Sequence, residues 1–398
     1  MSHVNPFSSG SGQVQRVYNS LVALAEDWNT ITVYTLNADK SDHRKLNEVL
    51  TLNPGVKVVY LKSPSALKVL NPVFHLLPYL GLGKSSNWVL PFIFKQLDKK
   101  TFDNYDCVLF EYWHLYRLAR KIRSGKLKVV CDTHNILLGS FREYIAAKPL
   151  PGFYKKYLIN NYRKLEFNKA LSGSFDELVA INREEETILK NEFPGVKVFY
   201  CPMGVKLPYL IPAHNNNKPT NLNTIVYYGG LANPRNTNAA IEVYRSLNGK
   251  SLSEKSNLVY KIIGSGAPKV LTDLAVSNEW VKVPGYVEDL SSILSDVDLA
   301  VIPFEGKYGF RSRLIELMYY GIPVLTTEDA IWGMGFTPGI DIFIFHPNEN
   351  LGDKIMQLLN DEPSRQMIST NAKTRVQNEF TFDATYRELS QELKRLIA

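Results

Sequence analysis

The stretch Tyr308-Gly309-Phe310-Arg311-Ser312-Arg313-Leu314-Ile315-Glu316 carries the densest chemistry in this chain. It follows an apolar run, Leu299–Pro303, and a glycine-containing loop, and it leads into Leu-Met-Tyr-Tyr-Gly321-Ile-Pro323. Strand, loop and pattern together predict a helix that starts near Gly309–Phe310 and stops at Gly321, where glycine is the usual cap. The first turn of such a helix offers free backbone N–H groups and a positive dipole end to an anion such as a diphosphate. Arg311 and Arg313 add fixed positive charge suited to phosphate oxygens. Glu316, further along, can accept hydrogen bonds from ribose hydroxyls. The bland alternative is an amphipathic helix with exposed arginines.

Other motifs narrow the field by failing. Gly81-Leu-Gly83-Lys84-Ser85 has the tail of a phosphate-binding loop, but the first glycine that loop needs falls on Pro78. There is no Gly-x-Ser-x-Gly elbow and no His-Glu-x-x-His zinc site. Asp296-Val-Asp298 precedes its strand, whereas a metal-binding pair belongs at a strand's C-terminal end, so it reads as a turn and no metal is expected. No recognised nucleic-acid motif accompanies the basic charge.

The elements that must position these residues fall into two sets. Ile31–Leu36, Val56–Leu61, Cys107–Glu111, Lys128–Cys131 and Glu177–Ile181 are short β-branched or apolar runs separated by helical stretches. Thr224–Tyr228, Leu258–Ile263, Val281–Val283, Leu299–Pro303, Ile322–Thr326 and Ile340–Phe345 repeat the scheme. Strands alternating with helices imply parallel sheets with crossover helices, an α/β fold. A chain of 398 residues suits two such domains. Lys206–Asn223, with Pro208, Pro212, Asn215–Asn217 and Pro219, reads as the linker between a domain over 1–205 and another over 224–381. The last stretch, Phe382–Ile397, is apolar at helical spacing and reads as an amphipathic helix. The loop-like Asn5–Gly12 begins almost at Met1, so the strand that ordinarily opens such a domain is a residue or two long, or missing.

Composition bounds the setting. Three widely spaced cysteines, Cys107, Cys131 and Cys201, fit a reducing compartment and no disulfide framework or zinc site. Met1–Gly12 is polar and has no secretory character, and no apolar run is long enough to span a bilayer. Together these predict a cytoplasmic protein. The net charge of +7 is uneven: residues 1–200 hold 27 Lys and Arg against 18 Asp and Glu. The basic half suits an anionic lipid surface or a phosphate-bearing acceptor, with a merely solvated lysine excess as the alternative. Leu67–Leu97, apolar and aromatic with interspersed lysines, either lies on a membrane, lines an apolar acceptor site or forms buried helices.

The motif over 308–316 resembles the donor-site segment of retaining glycosyltransferases of the GT-B fold, family 4. Further segments resemble that family in its own order: Asn5–Val17, Cys131-Asp-Thr-His134-Asn135, Asp176–Asn182, Cys201-Pro-Met-Gly204-Val205, Tyr227-Tyr-Gly229-Gly230 with Asn233-Pro-Arg235-Asn236, Ile262-Ile-Gly264-Ser-Gly266, and Gly285–Leu290. One position departs: the family often has a glutamate where Tyr308 stands, and only Glu316 keeps its acid. Gly309, Arg313 and Glu316 match the variant Gly-x-x-x-Lys/Arg-x-x-Glu pattern.

The resemblance implies two Rossmann-like domains facing each other across a cleft, with the C-terminal helix packed back on the first. It implies sugar transfer from a nucleotide-sugar, which is a substrate and not a cofactor, to a glycan or lipid-linked acceptor, with retention and without metal. It assigns catalysis to His134, Arg313 and Glu316, with His134 bonding the donor sugar. It assigns donor binding to Gly10, Gly12, Gly229, Gly230, Arg235, Gly264, Tyr308, Gly309, Phe310, Arg311 and Leu314. Partners would be the donor, the acceptor and a membrane surface met by the basic first domain, with no nucleic acid. Two other classes stay open: a sugar-nucleotide epimerase on the same fold, and a non-catalytic subunit that binds a sugar nucleotide.

Overall fold

Runs such as Val56-Lys-Val-Val-Tyr60 and Leu258-Val-Tyr-Lys-Ile-Ile263 favour extended backbone through their β-branched side chains, and all the paired strands they form are parallel. The computed structural model describes residues 1–8, 12–36, 41–62, 76–80, 86–206, 222–251 and 256–398. Gly10, most of the linker expected over 206–223, and much of Leu67–Leu97 lie outside the described residues. The chain divides into two units. The first comprises Met1–Met203, Tyr308–Phe310 and Phe382–Ala398; the second comprises Gly204–Lys307 and Arg311–Thr381.

In the first unit, β1 (Ile31–Thr35) and β2 (Val56–Tyr60) form a two-stranded sheet. A four-stranded sheet runs in the order β3 (Cys107–Glu111), β4 (Lys128–Asp132), β5 (Glu177–Ala180), β6 (Lys197–Tyr200). The strand β6 was not among the sequence expectations, because its four residues show too short an alternation to stand out. Ser2 makes a single parallel bridge with Glu111 and donates its N–H to the Tyr34 carbonyl, while Glu111 donates to Met1. The opening strand is thus one residue long. Alongside it, a slot of about 550 Å³, lined in part by Leu24, Trp28, Val33, Val108 and Leu393, lies between β1 and β3.

The core of this unit forms where the helices close on the larger sheet, around Phe110, Trp113, Val129, Phe141 and Leu178. The C-terminal segment belongs to it. Phe382 and Tyr386 pack with Phe7, Tyr18 and Val22, and Leu389 and Leu393 pack with Val130 and Val179. Trp28 Nε1 donates to Ser390 Oγ at 3.1 Å, and Arg387 pairs with Glu26 at 3.0 Å.

The second unit is one six-stranded sheet in the order β12-β11-β10-β7-β8-β9, with β7 Asn223–Tyr228, β8 Leu258–Ile263, β9 Val281–Gly285, β10 Leu299–Ile302, β11 Val324–Thr326 and β12 Phe343–Ile344. Counting from its own first strand, this is the doubly wound order in which the chain reverses direction between β7 and β10. In such sheets the ligand crevice lies outside the strand ends at that reversal. Aspartates 296 and 298 sit before β10: Asp298 accepts the Thr224 N–H at 2.7 Å and Asp296 pairs with Lys261 at 2.5 Å. Asp298 therefore ties the start of β10 to its neighbour β7, and Asp296 ties the turn before β10 to β8, one strand further on. Among the described residues, no helix is long and apolar enough to cross a membrane.

Glu177 in β5 is buried, and the nearest cation, Lys197, stands 3.8 Å away. Burial pushes its carboxyl up to about 7 from an ordinary 4.5. The unfolded chain ionises first, so stability is greatest below about pH 4.5 for this group and is lost as pH rises through 7. Urea unfolding at about pH 5 and about pH 8 should show a drop that Glu177→Gln reduces, by on the order of 2 kcal/mol after solvent screening. An unchanged pH profile in that variant would remove Glu177 as the cause.

Candidate functional site

At the C-terminal end of β4 the first unit holds a buried polar cluster. Arg16, 1% exposed on the helix Gly12–Asp27, donates from Nε and Nη2 to the Asp132 carboxylate at 2.8 and 3.0 Å, and from Nη2 to the Cys201 carbonyl at 2.9 Å. Burial alone would raise the Asp132 carboxyl, but the Arg16 guanidinium outweighs it and holds the group below its ordinary value. Asp132 also accepts the backbone N–H of His134 at 3.1 Å. This bond fixes His134 at φ +56, a left-handed conformation uncommon for a residue with a side chain.

The His134 ring is fixed from two further sides. Nε2 lies 2.5 Å from Glu111 Oε2 at the end of β3, and the ring stacks on Tyr112 with centroids 4.1 Å apart. Tyr112 is itself at φ +72. Beyond His134, the helix Leu137–Ala146 begins without a side-chain cap of its own. Glu166 supplies one from a distance, accepting the N–H groups of Leu137 and Leu138 at 2.7 Å each.

Glu185 plays a similar part for its neighbours. It accepts Ile136 N–H at 3.0 Å and Gly309 N–H at 3.3 Å, and Asn182 Nδ2 donates to the Gly309 carbonyl at 3.0 Å. Its burial lifts the carboxyl to about 7, those two backbone bonds working against the rise. Tyr308, Gly309 and Phe310 accordingly group with the first unit, Gly309 at φ +68.

Among the described residues, Glu111, Asp132 and His134 present ligand atoms within 4.8 Å of one another, close enough for a metal ion. Two of these groups are already committed, Asp132 to Arg16 by two bonds and Glu111 to His134. The guanidinium supplies the cation that the carboxylate requires.

In the second unit the β7–β10 reversal is occupied by a second fixed arginine. The helix begins at Ser312, later than the expected Gly309–Phe310, with Arg311 as its uncapped N-cap residue. The left-handed Gly309 belongs to the loop before it, which places Arg313 in the first turn. Arg313 Nη1 reaches Tyr227 Oη at 3.1 Å, the Tyr228 carbonyl at 3.3 Å and Asn236 Oδ1 at 3.0 Å. A Cβ on Gly229 would stand 2.4 Å from that same nitrogen, so the glycine is what admits the guanidinium to the end of β7. Glu316, one turn on, accepts a hydrogen bond from Tyr228 Oη at 2.8 Å. Burial raises its carboxyl, with the Tyr228 bond and the Arg313 charge opposing.

The remaining predicted residues divide. Gly264 packs directly on this loop: at φ +153, a Cβ there would meet the Gly229 carbonyl oxygen at 1.8 Å. Gly230 has open space around its α-carbon. The side chain of Leu314 is fully buried in the core of the second unit, so only its backbone can face a ligand. Arg311 lies with its guanidinium 3.5 Å from the Phe304 ring centre. Arg235 is exposed at the start of the helix Pro234–Asn248, whereas Asn236 turns inward to Arg313. Gly12 is exposed at the start of its helix.

Sequence reasoning missed Arg16, Tyr112, Tyr227, Tyr228 and Asn236. Arg16 left no local signal: it lies about 200° around the helix from Val14, off the apolar face of Val14, Val17, Tyr18 and Leu21, where a charged side chain is ordinarily solvated. For Asn236 the 100° step between successive helix residues decides which of two polar neighbours faces in, and helix phase is a property of the packed structure.

Two substitutions test this construction. Arg16→Met leaves Asp132 buried without its cation and should cost about 3–5 kcal/mol in urea unfolding; a loss under 1 kcal/mol would show the pair to be dispensable. Gly264→Ala drives a Cβ into backbone and should cost about 2–4 kcal/mol through overpacking and strain.

Residues 213–375 match the family described as Glycosyl transferases group 1. No curated protein matches the chain. Among solved structures it is similar to sucrose-phosphate synthase from Thermosynechococcus elongatus, at 18% identity over 100% of this chain and 97% of that one, with a TM-score of 0.68. It is also similar to a glycosyltransferase from Rickettsia africae, at 16% identity over 97% and 96% of the two chains and a TM-score of 0.60. Anabaena HepE, solved in complex with UDP, gives 14% identity over 98% of each chain and a TM-score of 0.61. At such identities the likeness establishes the fold, a two-domain α/β chain of the GT-B class with parallel sheets.

Proposed function

We propose, for a chain whose residues 213–375 match the glycosyl transferases group 1, that it moves a sugar from a nucleotide-sugar donor to a hydroxyl of a glycan or lipid-linked acceptor. The observation that carries the reading is Arg313, pinned by Tyr227, Tyr228 and Asn236 against Gly229 at the strand reversal of the second unit. A guanidinium held by three neutral oxygens keeps its charge free for an anion. The bare backbone of Gly229 and Gly230 lets a diphosphate come close to it. Glu316 is proposed to take the ribose hydroxyls, a role for which Tyr228 already orients the carboxylate. That HepE was solved with UDP supports a nucleoside diphosphate as the leaving group.

In the proposed reaction the acceptor oxygen bonds to the anomeric carbon while the bond from that carbon to the phosphate oxygen breaks. The hydroxyl proton passes to the departing phosphate, on the same face, so configuration is retained. Arg313 and the N–H groups of the first helical turn stabilise the charge that grows on the diphosphate. His134, held by Glu111 and Asp132, is proposed to hydrogen-bond the transferred sugar. Charge neutralisation by arginine and helix dipole leaves no step that calls for a metal ion. The chemistry suits the cytoplasm, where nucleotide sugars are at hand.

A thermal-shift panel of UDP-, GDP-, ADP- and dTDP-sugars tests the donor site. One donor should stabilise the wild type by about 2.7 kcal/mol at 100 times its dissociation constant, and Glu316→Ala or Arg313→Ala should lose the effect while remaining folded. No shift with any donor from folded protein would sink the reading. A shift without turnover across glycan and lipid-linked acceptors would assign a non-catalytic binding role.

A further inference from the structure

A trough of about 350 Å³ opens on the first unit between the helices Ser86–Ile93 and Tyr116–Ile122, and none of the residues proposed to bind the donor lines it. Its volume falls within the roughly 300–1,000 Å³ typical of ligand pockets. Trp88, Phe92, Leu97 and Leu118 line it, and Phe92 is 58% exposed. Lys95, Arg117 and Lys121 also line it, all three exposed. Their aliphatic stems extend the apolar wall while their charged ends reach water. The Arg117 guanidinium lies over the Trp88 ring, 5.9 Å from its centre.

We propose that this trough takes one hydrocarbon chain of an anionic membrane lipid, with the headgroup held by Lys95, Arg117 and Lys121. The lining selects the occupant. A peptide would bring backbone N–H and C=O groups against apolar walls that offer them no partner, at a cost in desolvation. A hydrocarbon chain brings none. The three cations then demand negative charge where the chain leaves the trough, and a phosphate headgroup provides it there. Charge at longer range points the same way, since residues 1–200 hold 27 basic side chains against 18 acidic ones and a basic surface is drawn to anionic membranes. Tryptophan with a lysine or arginine at its rim is also the pairing that settles at a membrane–water boundary. The trough places in the described structure part of the Leu67–Leu97 stretch, through Trp88, Phe92 and Lys95.

This inference does not depend on the donor reading and is tested without nucleotide. Full-length protein is mixed with vesicles of phosphatidylcholine alone or with an equimolar share of phosphatidylglycerol, and both sedimentation and tryptophan emission are followed. Phosphatidylglycerol vesicles should bind at least tenfold more protein than phosphatidylcholine ones. Lipids brominated along their chains should quench an emission component that Trp88→Phe removes. Phe92→Asp should abolish that quenching, and Lys95→Glu with Lys121→Glu should return binding to the phosphatidylcholine level. All of these sites are at the surface or half-buried, and an unchanged melting temperature confirms that the variants fold. Sedimentation without quenching of Trp88 would mean adsorption by charge alone and would overturn the site, as would the absence of any preference for phosphatidylglycerol. Donor-induced thermal shifts in vesicle-free buffer should be the same in these variants, which separates failure of this site from failure of the donor site.

Discussion

Arg16 brings a full positive charge into the interior of the first unit, and Asp132 is the group that makes its burial tolerable. An unpaired ion there would cost several kcal/mol even after the structure relaxes around it. The pair is joined through two parallel hydrogen bonds, with a third from Arg16 to Cys201, so the first helix, the end of β4 and the segment after β6 must hold fixed positions relative to one another. Much of the neighbourhood follows. The same carboxylate takes the His134 N–H and so sets that residue's left-handed turn, while Glu111 and Tyr112 fix the plane of its ring. A histidine restrained in this way has one orientation to offer a ligand, which is the condition for precise positioning.

The second unit meets a similar problem with a different solution. Among the described residues Arg313 has no carboxylate in its hydrogen-bond set; it is held by a phenol, a carbonyl and an amide oxygen. Neutral acceptors orient the guanidinium without cancelling it, whereas Arg16 is neutralised on the spot. The contrast separates the two arginines by role. Arg16 is bound to a carboxylate as part of the framework, and Arg313 is the arginine to which the proposed function gives the anion. Gly229 and Gly264 are the steric counterpart, since a side chain at either would collide with the arginine or with the neighbouring loop.

The α/β class was legible because β-branched runs and helical stretches alternate along both halves, and periodicity survives even where boundaries shift. The helix before Gly321 illustrates the limit. Its end was readable, since Gly321 at φ +75 closes it with bonds from Gly321 to Met318 and from Ile322 to Leu317. Its start was not: Gly309 and Phe310 look compatible with a first turn, but the contacts of Gly309 with Asn182 and Glu185, well over a hundred residues away in the chain, hold it in the loop. Distant partners of that kind leave no local trace. The opening strand shows the same division, for its shortness was visible, but its bridge between Tyr34 and Glu111 was not.

What the sequence by itself determined is the set of local choices: the strand and helix periods, the glycines at turns, and the motif around Arg313 and Glu316 within the stretch 213–375 that matches the glycosyl transferases group 1. Tertiary structure decided which charges are framework and which are free. Arg16 and Arg313 are the same residue type near the starts of two helices, and nothing in their immediate neighbours says that one is buried on a carboxylate and the other held by neutral oxygens. That outcome depends on which strand end each helix packs against. The choice of Asn236 over Arg235 as a partner for Arg313 depends on helix phase within the packed unit. A side chain's partner is fixed by distance in space, and the chain folds residues 116 positions apart to within 3 Å.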